Sequence, residues 1–69
     1  MQEFQKRIVK ERDELAKKVE ALNVFIDDDG RTYMDLPLID KFLLSKQRDE
    51  MNCYLETLEY RIMRFTGVH

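Results

Sequence analysis

Apolar residues recur at steps of three, four or seven along two long stretches of the chain, which is typical of amphipathic helices. The first stretch runs from Glu3 to about residue 26, and the intervening residues are mostly Lys, Arg, Glu and Gln, which are good helix formers. Its apolar series is Phe4, Ile8, Leu15, Val19, Leu22 and Ile26. The pattern predicts a helix over residues 3–26.

The second stretch predicts a helix over residues 37–66. Asp35 is a candidate N-cap, and Pro37 suits a first helical turn, where its missing N–H is not needed. Gly67 follows the last periodic residue and is a candidate C-terminal cap. The apolar series of this stretch is Leu44, Met51, Leu55, Leu58, Ile62 and Phe65.

Two long helices joined by a short loop fold back on each other. The sequence therefore predicts one all-α domain over residues 1–69, an antiparallel coiled-coil-like hairpin with a loop over residues 27–36. The seven-residue spacings predict a register in which Leu15 lies opposite Met51 and Ile8 lies opposite Leu58.

Polar residues interrupt the predicted seam between the helices at Glu11 and Arg12, and at Gln47 and Arg48. Such residues either define the register and the number of partners or line a small site. The pattern leaves both interpretations open.

The loop contains three consecutive aspartates followed by Gly30. A calcium-binding EF-hand with Gly30 at its sixth position would place Phe25 and Leu36 at two ligand positions, so the calcium interpretation fails. Asp29 and Gly30 together favour a tight turn, and a small two-stranded ribbon over residues 25–34 is one form that the turn can take.

Composition narrows the class of protein. The 69 residues carry 14 acidic and 12 basic side chains, a formal charge of −2, which argues against binding long nucleic acid. Cys53 is the only cysteine and His69 is terminal, and no catalytic or metal-ligand motif is present. We expect a soluble intracellular protein with no membrane partner, no cofactor, no metal and no enzymatic activity.

Many apolar residues lie off the predicted seam, and a hairpin has only two layers in which to bury them. Such surplus usually marks an interface, so we expect a homo-oligomer, either a dimeric four-helix bundle or a larger ring. The off-seam residues are Val9, Val24 and Phe25 in the first helix and Leu38, Phe42, Leu43, Tyr54, Tyr60 and Met63 in the second.

The segments FQKRIVKERDELAKKVEALNVFI and LLSKQRDEMNCYLETLEYRI resemble small helical-hairpin proteins encoded by tailed phages, including a family from crAss-like phages. The resemblance covers most of the chain. It implies an accessory protein that acts in the cytoplasm of an infected bacterium. The positions that carry it are Phe4, Arg7, Ile8, Glu11, Leu15, Leu22, Phe25, Ile26, Leu43, Leu44, Gln47, Met51, Tyr54, Leu58, Arg61 and Ile62.

Phage proteins of this size include oligomeric sponges that sequester a host immune nucleotide, such as a cyclic dinucleotide or a cyclic ADP-ribose isomer. A site of that kind needs aromatic faces for a base and Arg or Lys for phosphate. Two further interpretations stay open: an inhibitor that binds a host defence protein, in the manner of an anti-CRISPR, and a structural coiled coil. The candidate ligand-binding residues are Arg7, Glu11, Tyr54, Tyr60, Arg61 and Arg64.

Overall fold

Two long helices make up most of the chain, and the computed structural model describes residues 1–27 and 30–67. Helix α1 spans Glu3–Asp27, α2 spans Gly30–Met34 and α3 spans Leu38–Thr66. Helices α1 and α3 pack against each other as a hairpin with overall dimensions of 46 × 18 × 15 Å. The predicted all-α hairpin is confirmed.

The seam between α1 and α3 holds the buried apolar residues of the described part of the chain. Ile8 and Val19 of α1 and Leu58 of α3 are buried, and Leu58 is fully enclosed. The predicted seven-residue series of α3 faces the same seam, because its members lie on one side of the helix. Its half-buried members are Leu44, Met51, Leu55, Ile62 and Phe65.

Three apolar residues of α1 differ from the prediction. Phe4 belongs to the predicted seam series but is 55% exposed, because it lies in the first turn of α1, where the seam ends. Val9 and Phe25 were expected off the seam and are half-buried. Val9 adjoins buried Ile8, and Phe25 packs against the connection between the long helices.

Of the four polar interruptions, the two arginines enter the seam and the other two residues do not. Arg12 and Arg48 are half-buried, whereas Glu11 and Gln47 are exposed. Arg48 forms an ion pair with Asp27 at 3.5 Å, between an Nη1 and an Oδ1 atom. The amphipathic side chain of Arg48 thus lies along the apolar seam while its charge reaches a carboxylate at the end of α1.

Cross-helix contacts agree only in part with the predicted register. Tyr54 donates a hydrogen bond to Glu11, and the register places Glu11 opposite the next residue, Leu55. The ion pair between Asp27 and Arg48 departs from the register, which would place Asp27 opposite Ile39. These contacts show that α1 and α3 run antiparallel. They do not establish the predicted pairing of individual residues.

The connection between the long helices contains a helical turn, so the two-stranded ribbon is wrong for the described residues. Tyr33 of α2 packs edge-on against Phe25, with ring centroids 6.3 Å apart, and its hydroxyl donates to the carbonyl of Lys41 at 3.5 Å. This aromatic side chain therefore joins α2 to both long helices. Asp28 and Asp29, with the predicted turn, lie outside the described residues.

The ends of α3 match the prediction at one end only. Pro37 occupies the N-cap position and no side chain caps the helix, so the prediction that Asp35 is the N-cap is wrong. The reason is that a residue before proline avoids helical geometry, which keeps Leu36 outside the helix and moves its start to Leu38. Gly67 adopts a left-handed conformation, with φ 79°, which confirms the predicted C-terminal cap.

Candidate ligand-binding site

A shallow groove lies between the start of α1 and the end of α3. Its volume is about 300 Å³, at the lower end of the range of about 300–1,000 Å³ that small-molecule sites occupy. The residues that line it are Phe4, Ile8, Arg61, Arg64 and Phe65. The groove thus combines two guanidinium groups with two aromatic rings.

Helical spacing explains why these residues meet. Phe4 and Ile8 are four residues apart on α1, and Arg61 is followed by Arg64 and Phe65 at three and four residues on α3, so each set shares one side of its helix. Ile8 is buried and forms the floor of the groove. Phe4 is more than half exposed and forms a wall, so its ring is accessible to a ligand.

The charge of the groove is positive. Within residues 1–27 and 30–67, neither Arg61 nor Arg64 forms an ion pair with a carboxylate. Arg64 lies in the last turn of α3, where a cation also interacts favourably with the helix dipole. Two guanidinium groups on one side of a helix can bind a phosphate or another multidentate anion with charge-assisted hydrogen bonds.

Glu11 and Tyr54 form a polar link between the helices next to the groove. The Tyr54 hydroxyl donates a hydrogen bond to an Oε1 atom of Glu11. That bond raises the pKa of Tyr54 above its usual value, while the nearby positive charge of Arg61 acts in the opposite direction. Arg61 therefore lies close to the Glu11–Tyr54 link as well as to the groove.

A comparison with protein-family models gives a match over residues 2–64, to a family described as Sequestin. The match covers α1, α2 and nearly all of α3. The chain belongs to the Sequestin family. The family name denotes sequestration, which is a binding function. No curated protein and no solved structure matches the chain.

Four of the six predicted ligand residues gather at this end of the hairpin, and all four lie within the Sequestin match. Arg61 and Arg64 line the groove, and Glu11 and Tyr54 are joined beside Arg61. Their proximity follows from the antiparallel packing of α1 and α3, as the sequence predicted.

The other two predicted residues, Arg7 and Tyr60, are exposed and do not line the groove. Sequence reasoning missed Phe4, Ile8 and Phe65 as ligand-binding candidates because it assigned them to the seam. A usable signal was present, since Phe4 and Phe65 are the last apolar residues of their series at the open end of the hairpin.

Other chemistry is limited in the described part of this Sequestin chain. No group of three His, Cys, Asp or Glu side chains within it is placed to hold a metal ion. Cys53 is an exposed free thiol. None of the helices in the described ranges is long and apolar enough to span a bilayer.

Proposed function

We propose that the chain is a phage accessory protein that counters bacterial defence by binding, not by catalysis, and sequesters a small signalling nucleotide in the cytoplasm of the infected host. Membership of the Sequestin family supports a sequestering role. The single observation that carries the nucleotide class is the groove, in which Arg61 and Arg64 lie beside Phe4 and Phe65.

Each part of a nucleotide has a matching group in this region. The guanidinium groups of Arg61 and Arg64 bind phosphate oxygens, and the Phe4 and Phe65 rings offer faces on which a base stacks. Stacking on an aromatic ring contributes about 1–3 kcal/mol per base. A cyclic dinucleotide or a cyclic ADP-ribose isomer carries both phosphates and bases and therefore uses both kinds of group.

Glu11 and Tyr54 supply the polar groups beside the groove. Glu11 accepts a hydrogen bond from Tyr54 through one oxygen, and its second carboxylate oxygen can accept from a ribose hydroxyl or a base amino group. This arrangement favours a ligand that extends from the groove towards the middle of the hairpin, past Arg61.

A small groove open to solvent gives limited enclosure, so we propose that copies of the chain assemble into a homo-oligomer. The surface supports assembly, because many large apolar side chains are exposed on the hairpin. An oligomer contains several grooves, so one assembly removes more than one signal molecule.

A thermal-shift panel tests the proposal. The panel contains cyclic dinucleotides, cyclic trinucleotides and cyclic ADP-ribose isomers, with linear mononucleotides as a control class. A sponge is expected to melt at a higher temperature with one signal class and not with the others, because ligand that binds only the folded state stabilises it. If no nucleotide in the panel shifts the melting temperature, the sponge is rejected.

Variants then locate the site. Arg61→Ala removes one charge-assisted hydrogen-bonding group, a loss of about 1.5–3 kcal/mol, which corresponds to an affinity about ten- to hundredfold lower. The control is Lys17→Ala, an exposed cation on the polar side of α1. Both variants are expected to assemble like the wild type. Retained affinity in Arg61→Ala would show that the ligand binds elsewhere.

A pull-down from a bacterial lysate tests the competing interpretation. A protein-binding inhibitor is expected to retain one host protein reproducibly and to show no response to nucleotides. That result would replace the sponge with an inhibitor. A sponge is expected to retain no host protein at a fixed ratio.

A further inference from the structure

A carboxylate lies next to the groove, on the side towards the middle of the hairpin. Phe4, Ile8 and Glu11 follow one another on α1 at steps of four and three residues, which places them on one side of the helix. Phe4 and Ile8 line the groove, and Glu11 lies about 4.5 Å beyond Ile8 along the helix axis. A ligand that extends past Ile8 on this side of α1 therefore meets the Glu11 carboxylate.

Helix α3 continues this arrangement on its own side of the groove. Tyr54, Arg61 and Phe65 are spaced by seven and four residues and share one side of α3, with Arg61 between the other two. The Tyr54 hydroxyl donates to Oε1 of Glu11. That bond raises the pKa of Tyr54, and the charge of Arg61 acts in the opposite direction, so Arg61 lies close to the Glu11–Tyr54 link. A phosphate held by Arg61 is therefore close to the Glu11 carboxylate as well.

The charge of Glu11 is not neutralised by an ion pair in the described part of the chain. Its partner across the hairpin is a neutral hydroxyl, and Arg7, one turn earlier on α1, is not within ion-pair distance of it. Two guanidinium groups, those of Arg61 and Arg64, and one carboxylate thus lie in one small region. Together they leave a single net positive charge for a ligand to neutralise.

A single net positive charge suits some phosphate groups better than others. A phosphodiester carries one negative charge, whereas the triphosphate chain of ATP carries several. Two arginines alone would attract an anion more strongly with every added phosphate, and a carboxylate beside them offsets part of that attraction. Selectivity is a difference between affinities, so repulsion of a competitor raises it as effectively as attraction of the ligand does.

We propose that Glu11 determines the charge selectivity of the groove, because it disfavours nucleotides that carry a chain of phosphates and leaves the groove available to ligands whose phosphates are single diesters. The same carboxylate accepts hydrogen bonds from hydroxyl and amino groups, so it favours those groups where it disfavours phosphate. A sponge in the cytoplasm has to stay free of the nucleoside triphosphates that surround it. The inference rests on the proposed function for its natural ligand, whereas the charge selectivity itself is measurable with ordinary nucleotides.

Binding of AMP, ADP and ATP tests the proposal, since these share one base and one ribose and differ only in the number of phosphates. Isothermal titration calorimetry at low salt, without divalent cations, compares the wild type with Glu11→Gln. Glutamine keeps the length of the side chain and an oxygen that accepts from Tyr54, so the variant removes the charge and retains the link. Glu11→Gln is expected to bind ATP about three- to tenfold more tightly than the wild type does, with a smaller gain for AMP.

Glu20→Gln is the matched control, since it removes the same charge from an exposed residue nine positions further along α1, on the opposite side of the helix. It is expected to leave all three affinities unchanged. The gain in Glu11→Gln is expected to shrink as salt is added, because salt screens charges in water. Adding Arg61→Ala to Glu11→Gln is expected to remove the gain, which would locate the bound ATP in the groove. A variant that merely unfolds would bind less tightly, not more.

The thermal-shift panel of signalling nucleotides distinguishes this inference from the proposed function. If Glu11→Gln gains affinity for ATP but no signalling nucleotide binds the wild type, the charge selectivity is supported and the sponge is rejected. If a signalling nucleotide binds the wild type and Glu11→Gln binds ATP no more tightly than the wild type, the sponge is supported and the role of Glu11 is overturned. Equal gains in Glu11→Gln and Glu20→Gln, or no measurable binding of ATP to Glu11→Gln, would also overturn it.

Discussion

Helices α1 and α3 both bury apolar residues in the seam but differ on their outer sides. Between Arg7 and Glu20, the exposed side chains of α1 are polar or charged, so that side of the helix is well solvated. The exposed residues of α3 include large apolar side chains, namely Leu38, Ile39, Phe42, Leu43, Tyr54, Tyr60 and Met63. Packing against α3 therefore leaves α1 with a polar exposed side over this range, whereas packing against α1 leaves apolar side chains of α3 in water. The difference teaches that the residues that hold the hairpin together and the exposed apolar residues lie on different sides of α3.

The largest effect on stability is expected from truncating a buried side chain of α3, on the side of the helix that faces α1. Leu58→Ala removes a fully buried side chain and is expected to destabilise the hairpin by about 2–5 kcal/mol. Because a small domain has about 5 kcal/mol of stability in total, this variant is expected to be largely unfolded at 25 °C. Circular dichroism during urea titration measures the loss.

Leu38→Ala is the matched control for Leu58→Ala, since it makes the same chemical change on the outer side of α3, where Leu38 is 82% exposed. Its effect on stability is expected to stay within about 0.5 kcal/mol, because an exposed side chain makes few contacts in the folded hairpin. Equal losses in the two variants would show that α3 does not have two distinct sides.

The C-terminal end of α3 gives the next largest effect on stability. Gly67 ends α3 at φ 79°, with open space around the position where a Cβ atom would lie, so the cost of a side chain there is a backbone cost. Gly67→Ala is expected to destabilise the hairpin by about 1 kcal/mol. Thermal unfolding followed by circular dichroism measures it, and Gly67→Asn is expected to lose less, because asparagine tolerates the left-handed region. A larger loss in Gly67→Asn would contradict this explanation.

Arg48→Leu tests the polar residues of the seam. Its guanidinium group is 3.5 Å from Asp27, and its side chain is 26% exposed. A partly exposed ion pair contributes about 0–1 kcal/mol, so leucine, which adds apolar contact, is expected to stabilise the hairpin by up to about 1 kcal/mol. Lys18→Leu, on the exposed side of α1, is the control and is expected to bring no gain. A less stable Arg48→Leu variant would show that the ion pair is worth more than the packing.

The sequence predicted those parts of the molecule that depend on periodicity. The series from Leu44 to Phe65 identified the side of α3 that faces α1, because the spacing of residues along a helix determines the direction in which their side chains point. Helix α2 was missed because five residues are too short for a periodic signal, and it is joined to the long helices through the packing of Tyr33 against Phe25. The seam also proved broader than strict spacing implies, as Val9 shows.

The candidate site was predictable in its charged residues and in Tyr54, but not in its aromatic walls. Arg61 and Arg64 stood out as cations near the end of a helix, and Glu11 came near them through the antiparallel fold. The aromatic walls depend on where the seam ends, which periodicity does not state. Phe4 looked like one more seam residue until its exposure was known.

The smallest effect is expected from the hydrogen bond that joins α1 to α3 beside the groove. Tyr54 donates to Glu11, and this bond raises the pKa of Tyr54 above 10.0. A group whose pKa is higher in the folded state stabilises that state below the unfolded pKa and loses the contribution as pH rises through the folded pKa. Unfolding free energies of the wild type and Tyr54→Phe, measured by urea titration, are therefore expected to differ near neutral pH and to converge above pH 10.

Tyr60→Phe is the control, since it removes an exposed tyrosine hydroxyl that has no bond with Glu11. Convergence in Tyr54→Phe alone would assign the pH dependence to the cross-helix bond. If both variants track the wild type in parallel across the alkaline range, the bond contributes nothing to the hairpin in solution. Glu11 would then be free to turn both carboxylate oxygens towards a ligand. The contrast between α1 and α3 would then depend only on the apolar residues that each helix buries and exposes.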